Sequence, residues 1–330
     1  MSRDAAGEAG GRRALFAALA ANLGIAGAKV AAFVFTGSVV MLAEAAHSLA
    51  DSSKQLLLFV GRLRSRRDAD RDHPLGYGPE RYFWAFLVAI LLFPIGALWA
   101  GIESFDQLRD PQPIAHAGWA AGVLLIAGIF EALSLRVAVR ETRKIDPGRS
   151  LWRYVRRARN PDLPSVLLED AGAVAGAALG LVFLLAATWT GDARWDAAGG
   201  FAVALLLLVI GAILTVEFKS LLIGEAALPE DRAAMEAAIA EHPKVRSVLS
   251  LRTLHLAPDQ VLVLARVALD PELDVRAVAA VVECIQHDVD DAVAYSTVVR
   301  VEPKPAPRGA RGTALARSDA ERSTSGGAER

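Results

Sequence analysis

The sequence predicts an α-helical integral membrane protein with six transmembrane helices, followed by a small cytoplasmic α+β domain. Three observations carry this expectation. The apolar set (Ala, Val, Ile, Leu, Met, Phe, Trp, Tyr, Cys) makes up 53% of the 330 residues before the 27 glycines are added. Soluble domains reach roughly 45–50% with glycine included. Six apolar segments stand at 14–36, 39–61, 82–105, 117–137, 166–190 and 197–218, each near the ~20 residues that a membrane helix needs. Positive charge alternates with these segments. The 61–81 loop holds six arginines and the 136–160 loop holds eight Arg or Lys from Arg140 onward, whereas 106–116 and 191–196 hold one each, Arg109 and Arg194. Cytoplasmic loops carry the excess of Lys and Arg, so both rich loops, and with them both termini, are placed in the cytoplasm. A large soluble helical bundle would have no reason to lock charge alternation to its hydrophobic segments.

Composition excludes other classes. With 36 basic and 37 acidic residues the formal net charge is −1, so no global field attracts nucleic acid. The single cysteine, Cys284, excludes an internal disulfide framework and a thiolate metal cluster. Residues 1–13 are polar, carry Asp4 and Glu8, and read as a cytoplasmic tail rather than a secretory signal or transit peptide.

The elements follow in order within a membrane domain spanning 14–224. The first helix carries Asn22 and Lys29. The second is the most polar, with Glu44, His47, Asp51 and Lys54. The third carries Glu103 and the fourth Glu131, whereas Ala171–Gly191 and Ala197–Val216 hold no charge. After about Glu225 the pattern changes. Leu228–Glu241 reads as an amphipathic helix, Val245–Thr253 and Val261–Leu269 as strands, 271–288 as a second helix and Ala294–Val301 as a third strand. That αββαβ order suits a ferredoxin-like α+β domain over 225–303. The remainder, 304–330, is rich in Pro, Gly, Ala, Arg and Ser and is expected to be disordered.

Glu44, His47 and Asp51 are spaced three and four apart, which puts them on one helix face. A charged residue at the bilayer centre costs about 2.5–3.5 kcal/mol, so such residues face a partner, a cavity or an ion. The His-x-x-x-Asp pattern also occurs as His255–Asp259 and His287–Asp291. What separates His47–Asp51 is its place inside a hydrophobic segment. An imidazole and a carboxylate one turn apart make half of a tetrahedral metal site. The other half is expected from the fifth helix, which offers Glu169 and Asp170, with Glu131 and Asn22 as lesser candidates. Plainer alternatives stand beside each of these. Acids favour helix starts, Glu131 could pair with Lys29, and Lys54 could snorkel or pair near the cytoplasmic end. His73-Pro-Leu-Gly-Tyr-Gly-Pro-Glu-Arg81 contains a Pro/Gly turn. There His73, with Asp70 or Asp72, makes either a loop cation site or a bland surface turn.

Taken together, these residues resemble the cation diffusion facilitator family. The matching pieces are Ala-Glu-Ala-Ala-His-Ser-Leu-Ala-Asp at 43–51, His-Pro-Leu-Gly-Tyr-Gly-Pro-Glu-Arg-Tyr at 73–82 and Pro-Gln-Pro-Ile at 111–114, and the likeness covers about 14–302. Val-Leu-Leu-Glu-Asp-Ala-Gly-Ala-Val-Ala-Gly at 166–176, the 131–141 segment and Arg-Asn-Pro-Asp at 159–162 look most like the branch containing the animal mitochondrial zinc transporter. The family's fifth-helix motif places a His or Asp four residues before an Asp. Aligning that Asp with Asp170 puts Val166 in the first position, and Glu169 becomes the candidate replacement. In the family's loop site Asp70 and His73 match, but Tyr77 replaces a second His. In the C-terminal domain Leu249, Arg266 and Arg300 stand where some relatives place His, so metal sensing there is expected to be weak or absent.

The resemblance implies a divalent metal transporter that exports its ion from the cytoplasm by proton antiport and forms a homodimer partly through the C-terminal domain. Zinc is the leading ion. A site of one His and three carboxylates is harder than a two-His site, which leaves manganese, iron and cobalt as alternatives. The expected ligands are His47, Asp51, Asp170 and Glu169, with Glu44, His73, Asp70 and Glu131 as weaker candidates. No resident cofactor and no enzymatic activity are expected, because no His-Glu-x-x-His, nucleophilic serine motif or nucleotide loop is present. The Ala- and Arg-rich composition suggests a bacterial inner (plasma) membrane. The competing reading is a non-transporting scaffold or regulator that keeps the fold.

Overall fold

Apolar runs punctuated by Gly, Pro and charged turns become helices of membrane-crossing length. The computed structural model describes residues 22–148 and 150–305. The first 21 residues, and the tail beyond Pro305 expected to be disordered, lie outside the described residues. The chain divides into two units between Leu222 and Ile223. The first holds α1 (Asn22–Thr36), α2 (Val39–Ser65), α3 (Glu80–Arg109), α4 (Ala117–Ile145), a short α5 (Leu151–Arg157), α6 (Asp162–Thr190) and α7 (Arg194–Ile223).

Among the described residues, α3, α4, α6 and α7 are long and apolar enough to cross a membrane. The expected count of six is not reached on that criterion, for two physical reasons. The first eight residues of the expected first helix, 14–21, lie outside the described residues. Helix α2 has the length, at 27 residues, but Glu44, His47, Asp51 and Lys54 lower its apolar character. Apolar side chains face outward on this unit. Only 17% of the apolar stretch of α4 and 50% of that of α7 is buried, and Trp119, Trp189, Phe35 and Leu98 stand largely exposed. A water-soluble bundle would bury them.

Apolar clusters hold the helices together. Ala85, Ala89 and Phe93 of α3 pack with Val203, Leu207, Ile210 and Leu214 of α7 and Ala43 of α2. Ala32, Met41, Leu124 and Leu184 join α1, α2, α4 and α6. The start of α2 is tied to α7. Ser38 Oγ and the Val39 N–H each donate to the buried Asp196 carboxylate at 2.5 Å, so a negative charge sits at the positive end of the helix. Helix α5 falls in a stretch read from its charge as a loop. Ser150 caps it by accepting from the Arg153 N–H at 3.4 Å, and Val155 buries against Ala138 and Leu167.

The second unit runs α8 (Pro229–Glu241), β1 (Val245–Ala257), β2 (Gln260–Leu269), α9 (Val275–Asp291) and β3 (Ser296–Pro305). The three strands lie in the order β1-β2-β3, with β1 antiparallel and β3 parallel to β2. Met235, Ile239, Val281, Ile285 and Val289 cover the inner face at Val261, Val263, Ala265 and Val267. Strand β1 continues four residues past its expected end at Thr253, to a two-residue turn at Pro258 and Asp259. The Asp274 side chain caps α9 by accepting from the Ala277 N–H at 2.7 Å.

Candidate metal centre

The candidate residues collect along the seam between α2 and α6. These helices run antiparallel there, so Glu44 lies near Gly176, His47 near Gly172 and Lys54 near Glu169. The glycines of Ala-Gly-Ala-Val-Ala-Gly allow the approach. A Cβ at Gly172 would run into Ile210 of α7 and stand 3.7 Å from His47 Cε1, and one at Gly176 would run into Glu44 Oε1.

His47 is fully buried. Its Nε2 stands 3.1 Å from Asp51 Oδ2, and Phe93 of α3 meets the imidazole edge-on at 6.5 Å. Neither ring nitrogen of His47, nor Asp51 Oδ1, has a well-formed hydrogen bond among the described residues. Buried polar atoms normally have one, and each exception calls for a reason. Beside them lies a cavity of about 370 Å3, lined by Asn22, Asp51, Lys54, Arg62, Glu131, Asp162, Val166, Glu169 and Asp170 among others. Asp170 accepts from Ser134 Oγ of α4 at 2.6 Å. Ser134 was not singled out by the sequence. Its only signal there is its place three residues after Glu131 on the same helix.

The remaining candidates are placed differently. Glu169 is buried but ion-paired with Lys54, whose side chain is as buried as its own. Glu44 pairs with Lys29 at 2.8 Å, both side chains 0% exposed. The expected alternative for Glu131, a pair with Lys29, is therefore corrected: Lys29 goes to Glu44, and Glu131 stands on the cavity wall with no hydrogen bond or ion pair among the described residues. Asn22 is also on that wall. Among the described residues no three His, Cys, Asp or Glu side chains converge closely enough to hold a metal ion. What is brought together is His47 with Asp51, and Asp51 with Asp170 across one cavity.

At one end of the seam, Arg62 of α2 and Arg81 of α3 both reach Asp162 Oδ2 of α6 at 2.6 Å. Asn160 accepts from the Asp162 N–H at 3.0 Å, and Tyr82 donates to the Arg159 carbonyl at 3.1 Å. The Arg-Asn-Pro-Asp segment therefore clamps three helix ends. The sequence marks this segment through its family resemblance, but gives no sign of the pairing with Arg62 and Arg81.

The loop pair is closed. Asp70 accepts from the His73 N–H at 2.7 Å, the Asp72 N–H at 3.0 Å and the Tyr77 hydroxyl at 2.6 Å. The Tyr77 bond, with the His73 N–H, holds the Asp70 carboxyl below its ordinary value. His73 Nδ1 lies 3.6 Å from Asp70, and its ring lies on Tyr77 at 4.2 Å.

Comparison with known proteins settles the family. Residues 15–223 match the cation efflux transmembrane domain, and 227–304 match the cation efflux protein cytoplasmic domain. The chain belongs to the cation efflux family. That makes it a multi-pass membrane protein of a family of cation transporters, not of enzymes. It is 32% identical over 250 residues to the mitochondrial proton-coupled zinc antiporter SLC30A9 of Xenopus laevis, covering 75% of this chain and 45% of that one. It is also 32% identical over 222 residues to metal tolerance protein C4 of Arabidopsis thaliana, covering 67% and 49%. A cation-efflux pump FieF of Serratia proteamaculans is 26% identical over 234 residues, covering 70% and 72%. The chain thus spans about half the length of the first two relatives.

Proposed function

We propose that the protein exports a divalent metal cation, zinc first, from the cytoplasm in exchange for protons. The observation that carries this reading is buried His47 beside half-buried Asp51 on α2, with ring nitrogens and a carboxylate oxygen that have no well-formed hydrogen bond among the described residues, where Asp51 lines a cavity shared with Asp170. His47, Asp51 and Asp170 would bind the ion. Imidazole must be neutral and the carboxylates ionised to bind it, so binding releases protons and protonation expels the metal. That linkage couples ion and proton flow without nucleotide hydrolysis. The zinc antiporter named among the relatives supports both the ion and the coupling.

In this reading α1 and α2 also span the membrane, giving six spans over 14–224 with both termini cytoplasmic. The second unit forms a ferredoxin-like cytoplasmic domain through which two copies associate, and the membrane is a bacterial inner membrane. Rocking of helices around a fixed site would give alternating access.

The test is metal uptake into proteoliposomes under an imposed pH gradient, with Zn2+, Mn2+, Fe2+, Co2+ and Cd2+ compared. Proton-coupled uptake of one ion, lost in Asp51→Ala, is the expected result. That no three ligating side chains converge among the described residues favours the scaffold reading instead, and that reading requires no uptake of any ion.

A further inference from the structure

We infer that Lys54 is a specificity-determining residue: its ammonium engages Glu169 and so confines the metal set to His47, Asp51 and Asp170. The inference rests on the transport reading above and deepens it. Lys54 follows Asp51 by three residues on α2, which places both on one helix face. Glu169 precedes Asp170 on α6. All four line the same cavity, and the Lys54–Glu169 pair is buried on both sides.

The cavity wall carries the carboxylates Asp51, Glu131, Asp162, Glu169 and Asp170. Asp162 is met by Arg62 and Arg81, and Glu169 by Lys54. Removing the ammonium would leave Glu169 uncompensated beside Asp170. Its Oε1 already has no hydrogen-bond partner among the described residues, so it is the oxygen a metal would take. Val166, where the family pattern has a ligand, lines the cavity and donates nothing. An added carboxylate would make the site harder and shift preference from Zn2+ toward Mn2+. An ammonium suits this task because it is a point charge with three donors and no lone pair, so it neutralises Glu169 without ligating metal.

The experiment compares Zn2+ and Mn2+ uptake by the full chain in proteoliposomes for wild type, Lys54→Gln, Glu169→Gln and the double variant. The ratio of the two ions within one preparation does not depend on how much protein folded. Lys54→Gln is expected to raise the Mn2+/Zn2+ ratio about tenfold, about 1.4 kcal/mol of differential binding. Glu169→Gln leaves the ammonium unpaired beside Asp51 and Asp170 and lowers uptake of both ions. The double variant restores uptake and the wild-type ratio. Loss of uptake in Glu169→Gln that Lys54→Gln does not restore would make Glu169 a ligand and overturn the inference. An unchanged ratio in Lys54→Gln overturns it equally. Wild-type protein that moves neither ion fails the transport reading itself, an outcome distinct from both.

Discussion

The chain pairs a histidine with a nearby aspartate in α2 and again in the loop before α3, and the two pairs differ in what surrounds them. Asp70 has its acceptors filled locally, by two backbone N–H groups and the Tyr77 hydroxyl. His47 is buried and Asp51 half-buried, with inward atoms that no well-formed hydrogen bond among the described residues satisfies, beside a cavity. His287–Asp291 in α9 is a third case, at 3.5 Å with both side chains mostly in water. Identical chemistry thus makes a turn, a surface pair or a candidate ligand set. Burial without satisfaction distinguishes the last, because leaving a polar group buried and unmade is costly.

The sharpest way to break the comparison is Asp51→Ala. If the α2 pair binds the transported ion, this change removes a ligand and reduces uptake to the level of protein-free liposomes. It leaves insertion intact, because the lost group packs no core. Normal uptake by the inserted variant would put the α2 pair in the same class as the loop pair. Next in size is Lys29→Met on α1, whose partner Glu44 lies one turn before His47 on α2. It leaves Glu44 buried without its cation, and breaking a buried pair costs about 3–5 kcal/mol. Thermal unfolding in detergent should show a fall of many degrees, with most of it recovered in Lys29→Met/Glu44→Leu. A single variant as stable as wild type would mean that Glu44 has another partner.

How far the site was legible follows from what a sequence encodes. His47 and Asp51 could be read because helical spacing fixes a face, and a charge in a hydrophobic run must have a reason. The partners of Lys29 and Lys54 could not. Pairing depends on which helices adjoin and at what depth, and neither is written in any single segment. The same limit sent Lys29 to Glu44 rather than Glu131, and hid the clamp of Asp162 by arginines from two other helices. The second unit was legible in its element order because each strand shows its own alternation. Its β1 strand is expected to end at Thr253, yet His255 is buried and the ladder continues to Ala257. Helix α5 was missed because a count of arginines says nothing of the Ser150 cap.

The smallest expected effect belongs to the loop pair. Tyr77→Phe removes one of three donors to Asp70 and exposes no buried group, so uptake should stay within about twofold of wild type, a difference under ~0.5 kcal/mol. The change has a clearer signature in pH. Asp70 titrates below its ordinary value in the folded loop, so its contribution to loop order is present above the unfolded carboxylate range, near ~4. That contribution is lost as pH falls through the depressed folded value. Losing the Tyr77 bond raises that folded value toward ordinary, and the acid opening of 70–77 moves to higher pH. Hydrogen exchange of this segment across an acid series reads the shift directly. If Tyr77→Phe instead abolished uptake while the segment stayed ordered, the loop would be part of the ion path and the contrast between the two pairs would fall.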